Sequence, residues 1–113
     1  MDRKILIPLY NKEVAPRFDL ASEALIVSMD KKKKSRERTV MLPQASAEKL
    51  CHLILIENIQ VVICGGIEDE YYQYLTWKKV TVLDSVIGPY EVVLERFASG
   101  LLQPGDIDPG NAT

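Results

Sequence analysis

The run Val61-Val62-Ile63-Cys64-Gly65-Gly66-Ile67 constrains this chain more than any other stretch in it. It reads as a buried strand that ends abruptly in a thiol and two residues without side chains. Open α/β sheets keep their ligand sites at the carboxyl ends of such strands. Glycine lets backbone N–H groups come close to a ligand, and a thiol is a soft ligand for iron, copper or molybdenum–sulfur chemistry. Cys64 therefore has two readings. It is either a compact hydrophobe filling a strand end or a ligand for soft metal.

The remaining chain must supply a sheet around that strand. Its 113 residues fit one domain with one core. An apolar fraction of 47% and a charged fraction of 27% match an ordinary globular protein. The formal net charge of −2 gives no overall field to recruit nucleic acid or an anionic membrane. No apolar run reaches the roughly 20 residues needed to span a bilayer, and residues 5–9 are too short for a signal segment. Two cysteines, Cys51 and Cys64, make no disulfide framework, so a reducing cytoplasm is the expected location.

Residues 3–9 read as a first strand, with Pro8 expected at its end or at a bulge. Residues 10–13 form a turn and 14–19 a proline-fixed loop, in which Phe18 either plugs the core or borders a site. Asp19 is expected to bond turn N–H groups. Strands follow at 24–29 and 38–42, joined by a polar hairpin tip over 30–36. Ser46 caps a helix to about Asn58 that is apolar almost all round and so expected to be heavily buried. Strand 60–64 follows, then a helix over 68–78 with Tyr71, Tyr74 and Leu75 on one face. Strand 80–83 precedes a last helix opened by Gly88-Pro89 and stopped by Gly100. Residues 1–102 form the domain and 103–113 a fraying tail.

This β-β-β-α-β-α-β-α order implies an α/β fold, one mixed five-stranded sheet with helices on both faces. Right-handed crossovers give the spatial order 3-2-1-4-5. The crevice between the first and fourth strands is then the expected site, where Tyr10, Asn11 and loop 14–19 meet Cys64, Gly65 and Gly66.

Four short motifs occur in order from Lys4 to Leu102: the opening Ile-x-Ile-Pro strand, Val14-Ala15-Pro16-x-Phe18-Asp19, Ile63-Cys64-Gly65-Gly66-Ile67, and Gly88-x-x-Glu91-Val92-Val93-Leu94-x-x-Phe97-x-x-Gly100-x-Leu102. Together they resemble the dinitrogenase iron–molybdenum cofactor-binding family. The resemblance implies a three-layer α/β/α, ribonuclease H-like fold and a non-catalytic role related to nitrogen fixation. Its cargo would be iron–molybdenum cofactor or a related molybdenum, copper or iron–sulfur cluster, exchanged with a donor or acceptor protein. Cys64 is then the candidate metal ligand, Gly65 and Gly66 a backbone cradle, and Asn11, Arg17 and Phe18 the contacts beside it. One thiol cannot close a mononuclear tetrahedral site, so a cluster would be held weakly, across a homodimer, or by hydrogen bonds to its sulfurs. One departure from the family pattern is the acidic helix start Glu68-Asp69-Glu70, which suits the helix dipole but repels an anionic ligand.

Other constellations carry less. Cys51 reads as core and His52 as a partly exposed or hydrogen-bonded structural histidine away from the crevice. Side chains adjacent in a helix point about 100° apart, so these two are not a chelating pair. The basic run Lys31–Lys34 with Arg36 and Arg38 is a solvated tip or a phosphate contact, without interleaved aromatics for base stacking. Tyr71, Tyr72, Tyr74 and Trp77 read as core plus an exposed rim or a dimer surface. A nuclease needs clustered carboxylates to hold Mg²⁺ ions roughly 4 Å apart, and neither the first strand nor the fourth carries a central one. The competing reading is an interaction or regulatory module on the same fold without a cofactor.

Overall fold

A computed structural model describes residues 3–30, 35–44 and 46–105. Strand β1 (Arg3–Tyr10) is the sheet's centre. It pairs antiparallel with β3 (Glu23–Met29) and parallel with β5 (Val61–Ile63). Outside these lie β4 (Ser35–Met41) and β6 (Thr81–Leu83), giving the order β4-β3-β1-β5-β6. The five strands read from sequence take these places. The sheet departs from the expected one by a sixth strand, the two-residue β2 (Glu13–Val14), which folds back on β1.

Alternation along the strands divides the core between two faces. Leu6, Ile26 and Val62 face helices α1 (Ala47–Ile56) and α2 (Asp69–Trp77), while Ile5, Ile7, Val27 and Ile63 face α3 (Tyr90–Ala98). The architecture is therefore three-layered, α/β/α, with β1 and β5 apolar on both faces as buried central strands require. Among the described residues no helix is long and apolar enough to cross a membrane.

Pro8 lies inside β1, paired with Ala24, rather than at the strand's end or at a bulge. Its carbonyl accepts from the Ala15 N–H at 2.8 Å. A strand residue turns its N and O to the same side, so the missing N–H faces the side where pairing with β5 has already stopped at Leu6. The bond forgone is the reciprocal one to Ala15, just past the β1–β2 pairing.

Strand β4 starts at Ser35, earlier than its apolar residues suggest, because edge pairing through Arg36 and Glu37 needs only backbone. The basic run at 31–34 and the tail beyond 105 fall outside the described residues. Leu102 is buried beside α3, and the Gly105 N–H donates to the Asp84 carbonyl at 2.8 Å, so the chain stays packed past residue 102.

Helix α1 is less buried than its composition suggests. Ser46 caps it, accepting from the Lys49 N–H. A helix lying on a sheet buries one stripe, here Ala47, Leu50, Cys51 and Ile54; His52 is exposed and Ile56 is 60% exposed. Glu57 at its end stands against the helix dipole and is held by Lys4 Nζ at 3.1 Å and Arg38 Nη2 at 2.6 Å. Those bonds, Lys4 first, lower its pKa.

All three helices finish alike. The residue after each cap, Asn58, Lys79 or Gly100, has positive φ, and the next N–H reaches back to Ile54, Leu75 or Arg96. Lysine tolerates that conformation poorly. Lys79→Gly is expected to raise stability by about 1 kcal/mol, read as a higher urea midpoint at unchanged slope.

Candidate functional site

Three loops meet at the carboxyl edge of the sheet, and the chain's own backbone closes the space between them. Asn11 and Lys12, at φ 52° and 64°, make a two-residue turn that folds β2 onto β1. The following segment then crosses to β5. Gly66 donates its N–H to the Pro16 carbonyl at 2.8 Å and accepts from the Phe18 N–H at 2.7 Å. Arg17 and Gly66 form a parallel bridge. The loop after β6 is tied on by Ser85 N–H to the Gly65 carbonyl and Val86 N–H to the Cys64 carbonyl, both 3.0 Å. Val14 N–H to the Gly88 carbonyl (3.0 Å) and Tyr90 N–H to the Lys12 carbonyl (3.1 Å) complete the knit.

The expected crevice is thus the right meeting place, but segment 14–18 fills it. Gly65 is glycine because a Cβ there would stand 2.3 Å from the Ala15 carbonyl oxygen and 2.6 Å from that of Pro16. Gly66 is less confined, its nearest such contact being 3.3 Å. The close approach that these glycines permit is taken by protein backbone, and the Gly66 N–H and C=O are both spent on it.

Cys64 is 0% exposed, in the core cluster beneath α1 and α2. Burial, then the Asp84 charge, pushes its thiol up to about 12. A protonated, buried thiol ligates no metal while it stays covered. Phe18 is buried and stacks on Tyr71 with ring centroids 6.4 Å apart. Arg17 is exposed, but its guanidinium forks onto Asp19, Nε to Oδ1 at 3.1 Å and Nη2 to Oδ2 at 2.8 Å, with Glu68 at 4.0 Å. Asp19 holds this arginine rather than the expected turn N–H groups. Asn11 is exposed at its turn, and Tyr10 and Ile87 are each about half-exposed on the same edge.

Hollows lie elsewhere among the described residues. One of about 540 Å³ opens at the other end of the sheet beside Arg3, Lys79 and Phe97. Another of about 400 Å³ runs between α1 and α2 and takes in Cys51 and His52. Sequence reading placed those two in a buried helix and missed the groove, whose signal was the surplus of apolar residues on α1. Tyr71 and Tyr72 pack on the core, whereas Trp77 and Tyr74 are exposed, with Lys78 Nζ 4.8 and 5.8 Å from their ring centroids. Among the described residues no group of three or more His, Cys, Asp or Glu could hold a metal ion.

A family model described as dinitrogenase iron-molybdenum cofactor matches residues 3–100. No curated protein matches the chain. Among solved structures, a candidate dinitrogenase of Methanocaldococcus jannaschii is 22% identical, with TM-score 0.74, over 91% of this chain and 94% of that one. The apo form of the orange protein of Desulfovibrio gigas is 16% identical, with TM-score 0.70, over 90% and 92%. A candidate NifB protein of Thermotoga is 15% identical, with TM-score 0.68, over 90% and 92%. At these identities the likeness to the solved structures is one of fold.

The closed edge makes two predictions. Gly65→Ala should cost about 3 kcal/mol and Gly66→Ala about 1 kcal/mol in urea unfolding, because the first must push backbone apart. The raised Cys64 pKa means that the unfolded chain releases this proton before the folded one does. Its contribution to stability is full below the ordinary thiol value of 9.0 and is lost as pH rises toward about 12. Unfolding free energies measured between about pH 8 and pH 10.5 should fall less steeply in Cys64→Ala than in the native chain.

Proposed function

The chain belongs to the dinitrogenase iron–molybdenum cofactor family, and on that premise we propose that it is a small non-catalytic carrier or assembly accessory for a metal–sulfur cluster. The family match over residues 3–100 carries this reading. The cluster is cargo, taken from a donor protein and passed to an acceptor, with its chemistry supplied by the cargo itself. The candidate seat is the loop edge, where Arg17 and Asn11 offer polar contacts and Tyr10 and Ile87 an apolar border. Gly65, Gly66 and Phe18 support that seat by fixing the loop. Cys64 enters as a ligand through opening of segment 14–18.

A second reading, an interaction or regulatory module without cargo, is favoured by two observations. The thiol is covered, and Arg17 of the edge is already paired with Asp19. Anaerobic titration of the metal-free protein with iron–molybdenum cofactor, and with tetrathiomolybdate plus Cu(I), separates the two. Visible absorption and bound metal would be followed for the native chain, Arg17→Ala and Cys64→Ser. The carrier reading expects stoichiometric uptake, weakened about tenfold in Arg17→Ala. Retention in Cys64→Ser would leave the seat on the rim; loss in that variant would make the thiol the ligand. Absence of uptake by all three proteins would overturn the carrier reading for these cargoes and leave the interaction module.

A further inference from the structure

Helices α1 and α2 lie on one sheet face, and the groove of about 400 Å³ between them has a chemistry of its own. Glu48, Cys51 and Leu55 line it from α1, and Glu70, Tyr71 and Tyr74 from α2, with the His52 imidazole as the remaining polar group. Its size falls within the roughly 300–1,000 Å³ of small-ligand sites. Neither Glu48 nor Glu70 joins an ion pair among the described residues, and no lysine or arginine lines the groove.

Burial and these charges act together on two neutral groups. The Tyr71 hydroxyl has its pKa raised by burial and then by Glu70 and Glu48, and the Cys51 thiol is pushed up to about 11 by burial and then by Glu48. The tyrosines add ring faces. Tyr71 is fixed by its stack on Phe18, and the ring of Tyr74 already attracts one cation, the chain's own Lys78, to 5.8 Å from its centroid. Carboxylates from two walls, aromatic faces and an apolar patch at Leu55 complement one kind of guest. Its cationic head meets charge and ring, while its stem covers the leucine.

We propose that the α1–α2 groove binds a small organic cation, an alkylammonium or alkylguanidinium with an apolar stem, at a site separate from the loop edge. An anion is disfavoured there by both carboxylates, and a neutral guest of the same shape forgoes the charge contacts.

The test is an amide-resolved NMR titration of the full chain with butylguanidinium and, separately, with its uncharged counterpart butylurea. Saturable shifts are expected for butylguanidinium, confined to residues 48–55 and 70–74, with butylurea binding at least about tenfold more weakly. Glu48→Gln and Glu70→Gln should each weaken butylguanidinium several-fold and the double variant more, while well-dispersed spectra show that the variants remain folded. Three results would each overturn the proposal. They are equal binding of the two probes, shifts spread over acidic surface elsewhere or failing to saturate, and undiminished binding by a folded double variant.

Discussion

The contact on which most of this structure depends is between two stretches of backbone, Gly65 against the carbonyls of Ala15 and Pro16. A Cβ at Gly65 would sit 2.3 Å from one carbonyl oxygen, so the approach exists only because position 65 has no side chain. Once it is made, the Gly66 N–H and C=O bond to Pro16 and Phe18, and segment 14–18 acts as a short strand laid over the end of β5. Phe18 is thereby carried under α1 and α2, where it stacks on Tyr71. Cys64, one residue before Gly65, lies buried in the same core cluster as Phe18. One local steric allowance thus sets the shape of the loop edge and the seating of a ring that supports the groove between the helices.

Charge is distributed unevenly over the result. At the loop edge Arg17 is satisfied by Asp19, with Glu68 near, in an exposed cluster whose pairing contributes on the order of 1 kcal/mol or less to stability. Its role is to hold the guanidinium in place rather than to hold the fold. At the end of α1, Lys4 and Arg38 converge on Glu57 and tie β1 and β4 to the helix. Between α1 and α2 the pattern differs, since Glu48 and Glu70 line a hollow and form no ion pair among the described residues.

The strands and helices were legible because their apolar residues follow the periods of buried elements, and the sheet centre was legible because β1 and β5 are apolar on both faces. Strand β2 was not, since two residues paired through backbone leave no pattern. The same reason hid the start of β4, where Arg36 and Glu37 pair at an edge that asks nothing of their side chains. At the candidate site, Cys64-Gly65-Gly66 correctly announced a close approach. Glycine specifies that something comes near without naming it, and the nearest group proved to be the chain's own carbonyls. The turn over residues 10–13 was legible, but its left-handed Asn11 and Lys12, which fold β2 onto β1, were not. The groove was hidden because its trace in the sequence, the apolar surplus on α1, reads equally as a more deeply buried helix.

A cluster seated at the loop edge would meet an arginine already engaged, and the helix N-terminus behind it carries Glu68, Asp69 and Glu70. Apart from Arg17 itself, Coulomb attraction is therefore a poor source of affinity for an anionic cargo there. The half-exposed Tyr10 and Ile87 offer apolar contact instead, and Arg17 could exchange Asp19 for the cargo at little cost because the pair is solvated. Such a seat would be weak and reversible, which suits transfer better than storage. Tight retention would require the thiolate, which lies buried in the core cluster, so the strength of holding would be coupled to whatever local opening uncovers it.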